Sequence, residues 1–87
     1  MHYALKIKAS AQKDLLQLPH KARQRVINAI DALAENPQRG SVLKGELRGL
    51  YRLRVGDYRI IYEIQHEAVV VLVLRVDHRR EVYRSQQ

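Results

Sequence analysis

Residues 50–64 read LYRLRVGDYRIIYEI, and the architecture of the whole chain can be worked out from this stretch. Apolar and charged residues alternate on both sides of Gly56-Asp57, which is the pattern of two half-buried strands. A two-residue loop with glycine first is typical of a type II′ turn between antiparallel strands. Such a turn sets the register and places Arg54 opposite Arg59. The stretch therefore predicts a β-hairpin whose strands are Leu50–Val55 and Tyr58–Ile64.

The register separates the side chains of this hairpin into two faces, because directly opposed residues share a face. The apolar face is the predicted core set: Tyr51, Leu53, Val55, Tyr58, Ile60 and Tyr62. The other face carries Arg52, Arg54, Arg59, Ile61 and Glu63, with Glu63 as the only carboxylate expected there. Opposed like charges cost on the order of 0.2–1 kcal/mol. A solvated sheet surface is the simpler interpretation, and a binding site for phosphate is the alternative.

The rest of the chain is expected to complete one small domain over residues 1–87. The further elements are a strand at residues 2–8, helices at Ala11–Leu18 and His20–Glu35, and a strand at Ala68–Val76. Ser10 is the expected N-cap of the first helix. The order β-α-α-β-β-β predicts an α+β fold with a twisted, mainly antiparallel four-stranded sheet and the helical pair packed on one face.

Composition and charge limit the classes of protein to which this chain could belong. The chain has 87 residues, no cysteine and a formal net charge of +7, with a pI near 10.1. The absence of cysteine excludes disulfides and a thiol nucleophile, and the histidines lack metal-ligand spacing, so no metal or other cofactor is expected. The longest apolar run, Ala68–Leu74, is far shorter than the ~20 residues that cross a membrane. We expect a cytoplasmic protein with an acidic partner.

The type of basic residue changes along the chain. Four of the seven basic residues up to residue 40 are lysines, whereas eight of the nine that follow are arginines. Arginine presents a planar fork of donors that suits phosphate, and it stacks on bases. The functional site is therefore expected in the second half of the chain.

Two phrases in that half resemble the RelE/ParE superfamily of toxins, on the RelE side. They are LYRLRVGDYRIIYEI at residues 50–64 and VLVLRVDHRREVYR at residues 71–84, and the resemblance extends over the whole chain, including Leu43–Gly49. It implies a fold like that of small microbial ribonucleases, and cleavage of mRNA in the ribosomal A site by attack of a 2′-OH on the adjacent phosphate. It also implies three partners: a cognate acidic, RelB-like antitoxin, the ribosome and mRNA.

The resemblance also implies roles for individual residues. The catalytic set carried over is Arg54, Arg59, His78, Arg79 and Tyr83. The set expected to bind RNA or phosphate is Arg48, Arg52 and Arg80. Relatives often have lysines where this chain has Arg52 and Arg54, and a guanidinium cannot readily act as a general base.

The general base is therefore expected to be Tyr83 or His78. Surrounding arginines would lower the pKa of Tyr83, whereas histidine is the residue type whose unperturbed pKa suits a base at neutral pH. Tyr83 could equally stack on a nucleobase or anchor the tail on the core, and His78 could be a solvated turn residue. These alternatives stay open at this stage.

Two other functions compete with the nuclease. A ParE-like inhibitor of DNA gyrase is the first, although ParE-like chains generally lack the arginine and tyrosine set found here. A non-catalytic, basic RNA-binding module is the second, but the polar sheet face has no aromatic RNA-binding signature. The expected function is therefore that of a ribosome-dependent mRNA endoribonuclease that inhibits translation.

Overall fold

The computed structural model describes residues 2–43 and 49–78. The elements are β1 (Ala4–Ile7), α1 (Ala9–Leu16), α2 (His20–Leu33), β2 (Ser41–Val42), β3 (Leu50–Val55), β4 (Tyr58–Gln65) and β5 (Val70–His78), with a short 3-10 helix at Pro37–Arg39. The strands form one mixed sheet in the order β1-β5-β4-β3-β2. The first strand, β1, runs parallel to β5, and all other neighbouring pairs are antiparallel. The predicted α+β class is confirmed.

The prediction of a four-stranded sheet is wrong in its details. The additional strand, β2, lies in a segment for which no element was predicted, and it pairs with β3 over only two residues. The helices also end earlier than predicted, at Leu16 and Leu33, and β5 begins and ends two residues later than expected. Two-residue strands carry almost no periodic signal, so their pairing depends on the neighbour rather than on their own sequence.

The β3–β4 hairpin has the predicted register. Arg54 pairs with Arg59, and Arg52 pairs with Ile61. Gly56 has a φ of +60°, the conformation that glycine supplies at the first central position of a type II′ turn. Local turn chemistry and strand alternation are thus sufficient to set this part of the sheet.

The helices cover one face of the sheet and bury the core between the two layers. The fully buried side chains include Tyr62, Ile30, Leu33, Ile60, Val26, Val71 and Val73. Of the predicted apolar set on the hairpin, Ile60 and Tyr62 are buried, and the others are half-buried and pack against the core. The opposite face of the sheet, with its charged residues, is not covered by either helix.

Helix α1 completes the hydrogen bonding of the β5 edge where β1 ends. β1 pairs with β5 only as far as Val73. Beyond that point the Ser10 hydroxyl donates to the Leu74 carbonyl at 2.7 Å, and an Asp14 carboxylate oxygen accepts from the Val76 N–H at 2.9 Å. The predicted N-cap role of Ser10 is wrong: α1 begins at Ala9 with Lys8 at the N-cap, and the Ser10 hydroxyl, inside the first turn, bonds to β5 instead. This edge is therefore protected from pairing with another chain.

The connection from α2 to β2 is held by a buried phenol. The Tyr62 hydroxyl donates to the Pro37 carbonyl at 2.7 Å and accepts from the Gly40 N–H at 3.0 Å. Burial raises the pKa of Tyr62, although the Gly40 hydrogen bond acts in the opposite direction. A Cβ on Gly40 would lie 2.6 Å from both the Arg52 carbonyl oxygen and the Tyr62 hydroxyl, so the backbone approaches β3 as only glycine allows.

Candidate functional site

The open face of the sheet gathers the arginines that the sequence singled out. Opposed residues share a face, and the register places Arg54, Arg59 and Asp77 in one row across β3, β4 and β5. The adjacent row contains Arg52, which lies opposite Ile61. We call Arg52, Arg54 and Arg59 together the arginine face. Their convergence, predicted from the hairpin register, is confirmed.

Asp77 is a second carboxylate on this face, and sequence reasoning missed it. The prediction ended the last strand at Val76, whereas β5 continues to His78 and sets Asp77 directly opposite Arg59. The expectation that Glu63 would be the only carboxylate there is therefore wrong. The pairing passes from Ile61–Arg75 to Tyr62–Val73, so one residue of β5 is extra. Such a bulge changes which side chains face the open side, and simple alternation does not reveal it.

The arginine face has unused hydrogen-bonding capacity. Arg54 is exposed, whereas Arg52 and Arg59 are half-buried. The Arg59 Nε is fully buried and has no hydrogen-bond partner among residues 2–43 and 49–78. None of the three arginines forms an ion pair with another described residue. Because an unpaired buried donor costs free energy, such a group suits a site whose partner is an external anion.

A chain of charges borders the arginine face at the edge of β5. The Arg75 Nε donates to an Asp14 carboxylate oxygen at 2.9 Å, and its Nη2 lies 3.4 Å from the other Asp14 oxygen. The same Nη2 lies 3.6 Å from an Asp77 oxygen. The hydrogen bond and the charge of Asp14 raise the pKa of Arg75. Arg75 therefore links α1 to the carboxylate that faces Arg59.

His78 does not join the arginine face. It is the last residue of β5 and pairs with Tyr58, which belongs to the apolar, helix-covered side. Its ring contacts the Tyr58 ring edge to face, with centroids 5.0 Å apart. Both rings line a polar cavity of about 310 Å³ beside α1, together with Gln17 and Asp14. The last strand was expected to end at Val76, before His78, and that boundary is wrong. Because β5 continues to His78, strand alternation puts this residue on the face opposite to that of Arg59, and its catalytic role stays a prediction.

The remaining predicted site residues, Arg48, Arg79, Arg80 and Tyr83, lie outside the described residues, and their roles stay predictions. Within residues 2–43 and 49–78, no group of three or more His, Asp or Glu side chains could hold a metal ion. No helix in the part of the chain that the structure describes has the length and apolar character needed to span a membrane.

Comparison with known proteins places this site in a family. Residues 5–83 match the family model described as the ParE toxin of the type II toxin–antitoxin system parDE. The chain is also 38% identical over 86 residues to toxin RelG of Mycobacterium tuberculosis, covering 97% of this chain and 99% of that protein. The chain belongs to the RelE/ParE superfamily of type II toxins. The resemblance stated from the two arginine-rich phrases is confirmed.

Solved structures with the same fold as this RelE-family toxin include chains from toxin–antitoxin complexes. The RelBE2 toxin–antitoxin complex of Mycobacterium tuberculosis superposes with a TM-score of 0.84 at 37% identity, over 91% of this chain and 100% of that one. The archaeal RelE–RelB complex of Pyrococcus horikoshii gives a TM-score of 0.75 at 34% identity, over 91% and 97%. The fold of this toxin is thus the RelE fold.

Proposed function

We propose that this RelE-family toxin is an endoribonuclease that cleaves mRNA in the A site of the ribosome. The arginine face carries the proposal, because three guanidinium groups converge there without a described ion-pair partner. An RNA phosphate supplies the negative charge that these groups lack. The half-buried Arg59, with its unpaired Nε, lies at the centre of the site.

The proposed reaction is an internal transfer of the phosphate. The ribose 2′-oxygen attacks the adjacent phosphorus while a general base removes the 2′ proton. The bond from phosphorus to the 5′-oxygen then breaks, and that oxygen takes up a proton. The products are a 2′,3′-cyclic phosphate and a free 5′-OH. The pentacoordinate transition state carries more negative charge than the substrate, and fixed arginines stabilise that additional charge.

Arg59 and Arg54 are assigned to the phosphate that reacts, and Arg52 to its neighbour along the RNA. The base is assigned to Tyr83, with His78 as the alternative. His78 would have to leave its contact with Tyr58 to reach a phosphate bound at Arg59. Arg79 is assigned to the leaving 5′-oxygen, and Arg48 and Arg80 to flanking phosphates.

An acidic antitoxin is the proposed protein partner. Several solved relatives are complexes of RelE-type toxins with RelB-type antitoxins. The net charge of +7 on this chain favours a partner of opposite charge. A ribosome-dependent toxin of this kind acts in the cytoplasm, which is where we place it.

Inhibition of DNA gyrase is the second candidate function, since the matching family model is described as a ParE toxin. The two functions make opposite predictions for mRNA in a translating extract. A nuclease produces new mRNA 5′ ends in phase with codons. A gyrase inhibitor leaves mRNA intact and traps gyrase–DNA complexes.

The deciding experiment maps mRNA ends in a translating extract with the native chain and with Arg59→Ala. Loss of one stabilising donor is expected to slow cleavage by about 10²–10³-fold. Arg39→Ala, an exposed arginine in the Pro37–Arg39 turn, is the matched control and should cleave like the native chain. If mRNA stays intact with the native chain and gyrase–DNA complexes are trapped, the proposed nuclease function is refuted.

The same assay separates the two candidate bases. Tyr83→Phe should abolish most of the cleavage, whereas His78→Gln should leave the rate nearly unchanged. The reverse result would transfer the role of base to His78. Equal losses in both variants would mean that neither residue alone supplies the base.

A further inference from the structure

We propose that Arg75 is a positioning residue for the arginine face: it holds the Asp77 carboxylate away from Arg59 and so leaves Arg59 available for phosphate. The consequence for catalysis rests on the proposed nuclease function. The arrangement of the four side chains involved, Asp14, Arg75, Asp77 and Arg59, can be tested without it.

Asp77 has two cationic neighbours that compete for its carboxylate. Arg59 lies directly opposite on β4, and Cβ atoms of such pairs are about 4.5–5.5 Å apart, well within reach of an ion pair. Arg75 lies two residues earlier on the same strand. The ion pair that forms is with Arg75, at 3.6 Å, and Arg59 makes no ion pair with any residue in the described part of the chain. The carboxylate thus leans toward the edge of β5 rather than toward the arginine face.

Asp14 explains why Arg75 is held in this position. Its carboxylate is fixed to the backbone of β5 by the Val76 N–H, at 2.9 Å. It then engages Arg75 through both Nε, at 2.9 Å, and Nη2, at 3.4 Å. A guanidinium can bind two carboxylates at once because its donors form a rigid fork. Arg75 therefore bridges an anchored acid on α1 and the acid that faces Arg59.

Removing Arg75 should redirect Asp77. With its partner gone, Asp77 still lies directly opposite Arg59, whose buried Nε has no partner among the described residues. An Arg59–Asp77 ion pair would satisfy that donor and fill the position that a phosphate would take. RNA would then have to displace an internal anion before it could bind.

The direct test observes Arg59 by NMR in the full-length toxin. In Arg75→Gln, the Arg59 Nε–H resonance should shift and rotation of its guanidinium should slow, as expected when an ion pair forms. In the double variant Arg75→Gln/Asp77→Asn, both observables should return to native values. An Arg59 signal that is unchanged in Arg75→Gln would overturn the proposal.

The functional test is a double-mutant cycle in the mRNA cleavage assay. Arg75→Gln should slow cleavage by about fivefold, and adding Asp77→Asn should restore most of the rate. A purely structural role for Arg75 would not be rescued, because the lost contact with Asp14 stays lost in the double variant. Failure of the rescue would therefore overturn the proposal.

Ser10→Ala is the matched control, since it removes another bond between α1 and β5, the 2.7 Å bond to the Leu74 carbonyl, and keeps Asp14, Arg75 and Asp77 unchanged. It should lower the free energy of unfolding and leave both the Arg59 signal and the cleavage rate near native. A loss of cleavage equal to that of Arg75→Gln would show that anchoring α1 matters, not the diversion of Asp77, and would contradict the proposal.

Asp77→Asn alone tests the idea without disturbing α1. It removes the competitor of the phosphate, so cleavage should be equal to or faster than native; a severalfold loss would mean that Asp77 contributes directly and that the proposal is wrong. Should the native chain fail to cleave mRNA, the proposed function falls, whereas the NMR comparison still decides the role of Arg75.

Discussion

At the scale of single residues, Arg59 lowers the stability of the isolated protein but is suited to binding an anion. Its buried Nε has no partner in the described part of the chain, and its neighbour on β3 is another arginine. Both features cost free energy in the isolated protein. An RNA phosphate on the open face would offset both costs at once. A residue that is unfavourable for the isolated sheet is therefore a strong candidate for the centre of the site.

Tyr62 shows the opposite situation, a buried polar group whose partners are all internal. We expect Tyr62→Phe to lower the free energy of unfolding by about 1–3 kcal/mol, because the Pro37 carbonyl and the Gly40 N–H lose their partner. Chemical denaturation would measure this loss. Cleavage of mRNA should persist, since the phenol lies on the core side, and a variant that is stable but inactive would contradict this assignment.

The pH dependence of the same residue follows from its burial. Burial raises the pKa of Tyr62 in the folded state, whereas an unfolded tyrosine titrates near about 10. The folded protein therefore holds this proton to higher pH than the unfolded chain does. The resulting stability is fully present below about pH 10 and is lost as the pH rises further. Tyr62→Phe should show a shallower alkaline decline, and parallel curves for the two proteins would refute this.

At the scale of elements, the β3–β4 hairpin contains a built-in repulsion. We expect Arg54→Thr to raise the free energy of unfolding by about 0.2–1 kcal/mol, because it removes the like charge opposite Arg59 and adds a residue that favours strands. Arg52→Thr is the matched control, since its cross-strand partner is the uncharged Ile61, and it should gain less. An equal gain in both variants would mean that strand propensity, not repulsion, is responsible.

Helix α1 is bonded directly to strand β5 at the edge of the sheet. Ser10 and Asp14 bond to β5 residues more than sixty positions away in the chain. The extra residue in β5 lies next to these contacts, and it changes the face of the sheet on which each later side chain of β5 lies. The side on which Asp77 and His78 lie depends on this bulge, and through Asp77 the charge balance of the arginine face depends on it as well.

At the scale of the whole molecule, the basic residues behind the net charge of +7 fall into two groups. One group forms the arginine face, and the other is spread over the rest of the surface. We expect binding of a single-stranded 2′-O-methyl RNA, which cannot be cleaved, to weaken with salt in proportion to the phosphates contacted. Three arginine–phosphate contacts correspond to a slope of about −2 in log K against log salt. Arg54→Gln should reduce the magnitude of that slope by about 0.7.

The control for this measurement is Lys21→Gln, which removes the same charge from the exposed side of α2. Its slope should stay near that of the native chain if the arginine face is where the RNA backbone binds. Equal changes for Lys21 and Arg54 would show that RNA contacts the whole basic surface rather than one face.

Several features of this toxin are determined by local sequence alone. The hairpin register, its two faces and the convergence of Arg52, Arg54 and Arg59 follow from strand alternation and a Gly-Asp turn, and all are confirmed. These features could be predicted because they depend on neighbours within about fifteen residues, where turn geometry leaves one register. The family could also be recognised from local sequence, in the two phrases at residues 50–64 and 71–84.

The tertiary structure alone decided the features that join distant segments. These are the parallel pairing of β1 with β5, the short β2 strand, the bulge in β5 and the bridge from Asp14 through Arg75 to Asp77. Each depends on which surfaces remain unpaired after the core has formed, and no local period encodes that. His78 illustrates the difference. Histidine is a residue type that suits catalysis, but the face of the sheet on which His78 lies is set by one extra residue in β5, and that bulge depends on how β5 pairs with β4.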